Sequence, residues 1–209
     1  MPVLLALVSS GVQAAPAEGQ RWKGPPPTEY DCTHAARIVK NEQPAKRMDD
    51  ATRILSQCSG SIVGETAESV IRAMKSEKDV DTLQSRLVPF TSLRDARYLA
   101  ANLEISRDAG ASVPARLVAM ATLVDLVSDF ELVVPALKMT EQGEYCDVSS
   151  WDPVVPVRDG APLPSGYRQT ILDMFRELSA SEAAPQEVRR AAACGAYHAE
   201  REVRRLASP

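Results

Sequence analysis

Four cysteines and two histidines are the residues of this chain with the most chemistry to offer. Cys32-Thr33-His34 and Cys194-Gly195-Ala196-Tyr197-His198 hold both histidines beside half of the thiols. Two thiolates and two imidazoles can bind zinc, and Cys194 and His198 stand one helical turn apart. Against that, Cys32 and His34 are cramped, and no Cys-x-x-Cys occurs. An even number of cysteines in an exported chain reads instead as a disulfide framework, so neither a metal nor a cofactor is expected. Cys32 and Cys58 are equidistant from residue 45, beside Pro44. Between two antiparallel helices those sulfurs meet across the hairpin. Cys146 is then left to Cys194, a bridge that would pin an irregular stretch to the last helix. Each bridge is worth roughly 3 to 4 kcal/mol in the chain-entropy picture.

Such a framework needs an oxidising compartment, and the N-terminus supplies the argument for one. Residues 1–15 carry no charge, contain the apolar run Val3-Leu4-Leu5-Ala6-Leu7-Val8 and end in small residues around Ala14 and Ala15. This is the pattern of a signal peptide cut after Ala14 or Ala15, although Met1-Pro2 lacks the usual opening Lys or Arg. The mature chain is therefore expected to be periplasmic or secreted. Its apolar run is far shorter than the ~20 residues needed to span a bilayer, so no membrane insertion is expected. A net charge of -4 gives no electrostatic reason to expect nucleic acid or anionic lipid as a partner.

The elements that would position the cysteines follow from hydrophobic spacing. Residues 16–28 form a Pro/Gly-rich linker, and 29–209 read as a single helical domain. Apolar residues recur at intervals of three and four over 29–40, 45–57, 63–74, 80–90, 92–105, 113–127, 166–178 and 185–206, with a shorter apolar piece at 129–138. No comparable length alternates as a strand would, so the expected fold class is all-α. Asp49, Asp50, Asp79 and Asp81 are expected at helix starts, where the helix dipole favours negative charge. On the last helix Ala191, Ala192, Gly195, Ala196 and Ala199 would let a neighbouring backbone approach closely.

One stretch breaks the pattern. Residues 141–165 contain Gly143, Pro153, Pro156, Gly160, Pro162 and Pro164, and read as a loop insertion with a hairpin-turn signal at Asp159-Gly160. Long loops inside compact domains are often functional. Tyr145 and Trp151, with Tyr167 just beyond, are candidate aromatic anchors for a partner.

Two segments share a local signature: Ser112-Val113-Pro114-Ala115-Arg116-Leu117-Val118-Ala119-Met120-Ala121-Thr122-Leu123 and Ala184-Pro185-Gln186-Glu187-Val188-Arg189-Arg190-Ala191-Ala192. Proline near the first turn, then Val and Arg, then inward Ala and Leu, resembles the HEAT-like helical repeats of exported, bacterial-type proteins. The resemblance implies stacked antiparallel helix pairs, an α-solenoid or an irregular bundle of the same elements. It also implies a non-catalytic protein-binding or scaffolding module whose partner is another envelope or extracellular protein. No Gly-x-Ser-x-Gly, Ser-x-x-Lys, His-Glu-x-x-His or phosphate-loop pattern occurs, and no catalytic residue is assigned. The alternative is an envelope enzyme or small-ligand binder using the 141–165 loop and an interhelical groove.

Overall fold

The structure, a computed structural model, describes residues 25–41, 45–87, 90, 93–127, 137–139, 146–148 and 158–207. The expected signal peptide, most of the linker and most of the insertion, including Tyr145 and Trp151, lie outside the described residues. Eight helices dominate what is described: α1 (Glu29–Lys40), α2 (Ala45–Leu55), α3 (Gly60–Ala73), α4 (Val80–Leu87), α5 (Ala96–Arg107), α6 (Val113–Val127), α7 (Tyr167–Ala180) and α8 (Gln186–Ala207). The protein is mostly helical, as the spacing predicts.

Local chemistry sets many of the helix ends. Thr28 and Asp31 form a reciprocal capping box at α1, with the Asp31 N–H donating to Thr28 Oγ1 at 3.2 Å and the Thr28 N–H donating to Asp31 Oδ2 at 2.9 Å. Asp79 accepts the Thr82 N–H at 2.7 Å to start α4. Gly166 opens α7 with a φ of 75°, a left-handed conformation that favours glycine. Asp49 and Asp50 depart from their expected place: both lie inside α2, beyond its first turn, and Asp50 pairs with Arg53 one turn on.

Four short strands accompany the helices: β1 (Leu93–Arg94), β2 (Leu137–Met139), β3 (Cys146–Val148) and β4 (Arg158–Asp159). They correct three expectations. The helix expected from residue 92 begins only at Ala96, because Leu93 and Arg94 pair in parallel with Arg158 and Asp159. Asp159-Gly160 is not a hairpin turn. Asp159 ends β4, and the Gly160 N–H donates to the Arg94 carbonyl at 2.8 Å. Finally, the end of the apolar piece at 129–138 is extended, with Leu137–Met139 antiparallel to Cys146–Val148.

The core is one cluster drawing on every helix. The most extensive packing joins α7 to α8, α5 to α6 and α1 to α2, while α3 packs on α5 and α1. α6 is buried on nearly all sides, from Ala115 to Val127, and so forms the centre. Even Arg116 is only 4% exposed. Its Nε donates to the Ser106 carbonyl at 3.0 Å, tying α6 to the end of α5. The small residues of α8 serve close packing. A Cβ on Gly195 would lie 2.5 Å from Phe175 Cε1 on α7, so the two backbones meet where only hydrogen fits.

Candidate functional site

The first helix presents two faces of different character. Cys32, Ala35, Ala36 and Val39 point into the body. Thr33, Arg37 and Lys40, spaced four and three apart, lie on an adjoining face and reach toward α3. There α1 and α3 enclose a groove of about 340 Å³. Ala36, Ile62 and Thr66 supply its floor, and Arg37, Lys40 and Glu65 stand on its rim. Thr66 is fully buried and donates its hydroxyl to the Ile62 carbonyl at 2.7 Å, so the floor offers no free polar group there.

Along the outer edge of the groove runs a ladder of planar groups. Tyr30 is 77% exposed, and its ring stacks on His34 with centroids 6.2 Å apart and an interplanar angle of 14°. The Arg37 guanidinium follows, with Nη2 3.1 Å from His34 Nδ1. Positions 30, 34 and 37 fall on one helix face, so the ladder follows from spacing once the opposite face is committed to the core. Two planar rings and a guanidinium, largely in water, form a surface on which flat or anionic groups of a partner can stack.

The groove depends on where α3 sits, and a buried carboxylate fixes that. Asp95, the N-cap of α5, is 0% exposed. Its Oδ1 accepts the Arg97 N–H at 2.8 Å and the Tyr98 N–H at 3.3 Å; its Oδ2 accepts the Ala161 N–H at 2.6 Å. Arg97 closes the arrangement, donating from Nε to Oδ1 at 3.2 Å and from Nη2 to Oδ2 at 2.9 Å. The same guanidinium reaches α3, at the Ser61 carbonyl and at Glu65 Oε1, both 3.0 Å. Glycine is required on two sides, since a Cβ on Gly64 or Gly160 would lie 2.2 or 2.1 Å from Asp95 Oδ2. Burial pushes the Asp95 carboxyl up, yet the Arg97 guanidinium and the N–H donors of Ala161, Arg97 and Tyr98 outweigh it and hold it below the usual carboxylate range. This carboxylate is occupied in joining α3, α5 and the exit of the insertion, and through Arg97 it holds Glu65 at the groove rim.

Of the aromatic anchors expected from the sequence, Tyr167 is the one among the described residues. It begins α7, half-buried against the core; its hydroxyl accepts from Arg94 Nη1 at 3.3 Å, and the Arg168 guanidinium lies 4.8 Å from its ring centroid. Cys32 and Cys58 are bonded to each other with Cα atoms 5.7 Å apart, the pairing that their symmetric placement about Pro44 implies. Cys194 is fully buried and also disulfide-bonded. The side chain of Cys146, its expected partner, lies outside the described residues, but Cys146 pairs with Met139 on β2, and β2 packs on α8. His198 sits half-buried within α8, edge-on to Tyr197 at 5.4 Å. Among the described residues, no group of three or more His, Cys, Asp or Glu could hold a metal ion, and no helix is long and apolar enough to cross a membrane.

Sequence reasoning treated His34 only as a possible zinc ligand and missed its place in the ladder, although the i, i+4, i+7 spacing of Tyr30, His34 and Arg37 was there to be read. It also missed Asp95, because a helix expected from residue 92 starts four residues before α5 and leaves Asp95 inside it rather than at its cap. Comparison with protein-family models, with curated proteins and with solved structures finds nothing that matches this chain.

Proposed function

We propose that the chain is an exported, non-catalytic helical module that captures a partner protein on the face formed by α1 and α3. The observation that carries this reading is the Tyr30–His34–Arg37 ladder beside a groove with an apolar floor and a charged rim of Arg37, Lys40 and Glu65. An aromatic ring left 77% in water does nothing for the fold, whereas aromatic and arginine side chains are the usual anchors of protein interfaces. Export is supported by the leader pattern of residues 1–15 and by the Cys32–Cys58 disulfide, a bond that persists in oxidising compartments. The packing of α1 on α2, α5 on α6 and α7 on α8 supports HEAT-like stacked pairs, an architecture that offers binding faces rather than enclosed catalytic sites.

The test is affinity capture from an envelope extract of the native host, with the wild type beside Tyr30→Ala/Arg37→Glu. Expected is a stoichiometric protein retained by the wild type and lost by the variant at unchanged melting temperature. Retention of nothing by the wild type, or equal retention by both, overturns the reading. A thiol count on the denatured, unreduced native protein checks the compartment: zero free thiols is expected, and four refutes export.

A further inference from the structure

The longest helix carries a second surface, independent of the α1 groove. One side of α8 packs on α7, α6 and β2. On the other side Arg190, Ala193, Tyr197, Arg201 and Arg204 are all exposed. At 100° per residue these five positions fall within an arc of about 80°, and the helical rise spreads them along about 21 Å. Tyr197, near the middle, is 58% exposed. Arg190 and Arg201 make no ion pair among the described residues, whereas Arg204 donates to Glu200 at 2.7 Å and Arg205 to Glu202 at 2.9 Å. Glu200 is shared with Arg176 at 3.1 Å, and Glu187 stands at the edge of the stripe. The face is therefore cationic although the whole chain carries -4.

We propose that this face of α8 lies against an anionic phospholipid surface, as a peripheral contact without insertion. Distant acidic residues do not oppose it, because charges more than about 8 Å away are screened at physiological salt. An exposed helix face is convex and can touch a planar bilayer along its length. The cations are all arginine, whose planar donors match phosphate oxygens in pairs. A tyrosine midway along the stripe suits the headgroup layer, where its ring and hydroxyl are both satisfied.

The experiment is co-sedimentation of the full chain with vesicles of equimolar phosphatidylglycerol and phosphatidylcholine, and with phosphatidylcholine alone. Binding to the anionic vesicles only, falling steeply as salt is raised, is expected. Arg190→Gln/Arg201→Gln should weaken it about 25-fold, at about fivefold per arginine. Arg53→Gln/Lys78→Gln, which removes the same charge from exposed cations elsewhere, should leave it within about twofold. The melting temperature of the α8 variant, expected unchanged, separates lost contact from lost fold. No sedimentation with anionic vesicles, equal weakening by the two variants, or tighter binding to duplex DNA than to the vesicles overturns the proposal. None of these outcomes bears on the α1 groove.

Discussion

Replacing Asp95 by Asn changes almost no volume but reverses the hydrogen-bonding sense of one of two oxygens, and both are in use. If the amide oxygen stays at the helix cap, it keeps the Arg97 and Tyr98 N–H donors. The amide NH2 then faces the Ala161 N–H, formerly 2.6 Å from Oδ2, and the Arg97 Nη2, formerly at 2.9 Å. Two charge-assisted bonds at ~1.5–3 kcal/mol each are lost, and donor is set against donor. Arg97 keeps the Ser61 carbonyl and Glu65, which softens the loss. A net destabilisation of about 3 kcal/mol is expected. For a chain of this size that lowers Tm by roughly 6–12 °C. The pH dependence sharpens the test. The folded-state pKa of Asp95 lies below its unfolded value, so its contribution is complete above the unfolded pKa and is lost as pH falls through the folded one. Urea melts followed by helical circular dichroism should therefore show wild type and Asp95→Asn furthest apart at neutral pH and converging in acid. A gap below about 1 kcal/mol at neutral pH, or one that does not narrow in acid, refutes the account of Asp95 as a charged tie.

Other perturbations probe separate parts of the structure. Cys32→Ser/Cys58→Ser opens a loop with a sequence separation of 26, for which the chain-entropy relation gives about 3.5 kcal/mol, measurable by denaturant melts at fixed pH. Gly195→Ala would gain about 1 kcal/mol on an open helix, but here its methyl meets Phe175, so a loss of ~1–3 kcal/mol is expected, and a rise in Tm would show that α7 and α8 are not in close contact. Tyr30→Ala should leave stability within about 0.5 kcal/mol because the ring is exposed; a larger loss would mean that the ring packs on the fold.

Helix bounds were legible where their signals are local. α1 matches its expected limits because Thr28 caps it with Asp31 and Asn41 closes it, and α6 matches because an apolar run follows Pro114 directly. The Cys32–Cys58 bond was legible for the same reason, since a short hairpin has one symmetric register. Contacts from far along the chain were not. Asp95 caps α5 locally through the Arg97 and Tyr98 N–H groups, but its bond to Ala161 comes from 66 residues on and nothing near residue 95 announces it. Nothing local marks Arg116 as buried; it is 4% exposed because α6 is enclosed by its neighbours. The ladder on α1 was half legible: spacing put Tyr30, His34 and Arg37 on one face, but only the packing of Cys32, Ala35, Ala36 and Val39 decided that this face meets water. The groove required α1 and α3 to be neighbours, a fact of tertiary structure alone.

The parallel seam between β1 and β4 closes a long circuit. Asp95 begins α5, but one of its donors arrives 66 residues later, from Ala161. A chain that leaves the ribosome or an export channel N-terminus first must carry this helix start unfinished until α6 and most of the insertion have emerged. At the usual ~5–20 residues per second of synthesis, that is an interval of several seconds. Through that interval the first six helices are a partial assembly, and the arrival of residues 158–161 supplies the strand partner of β1 and the last donor to Asp95.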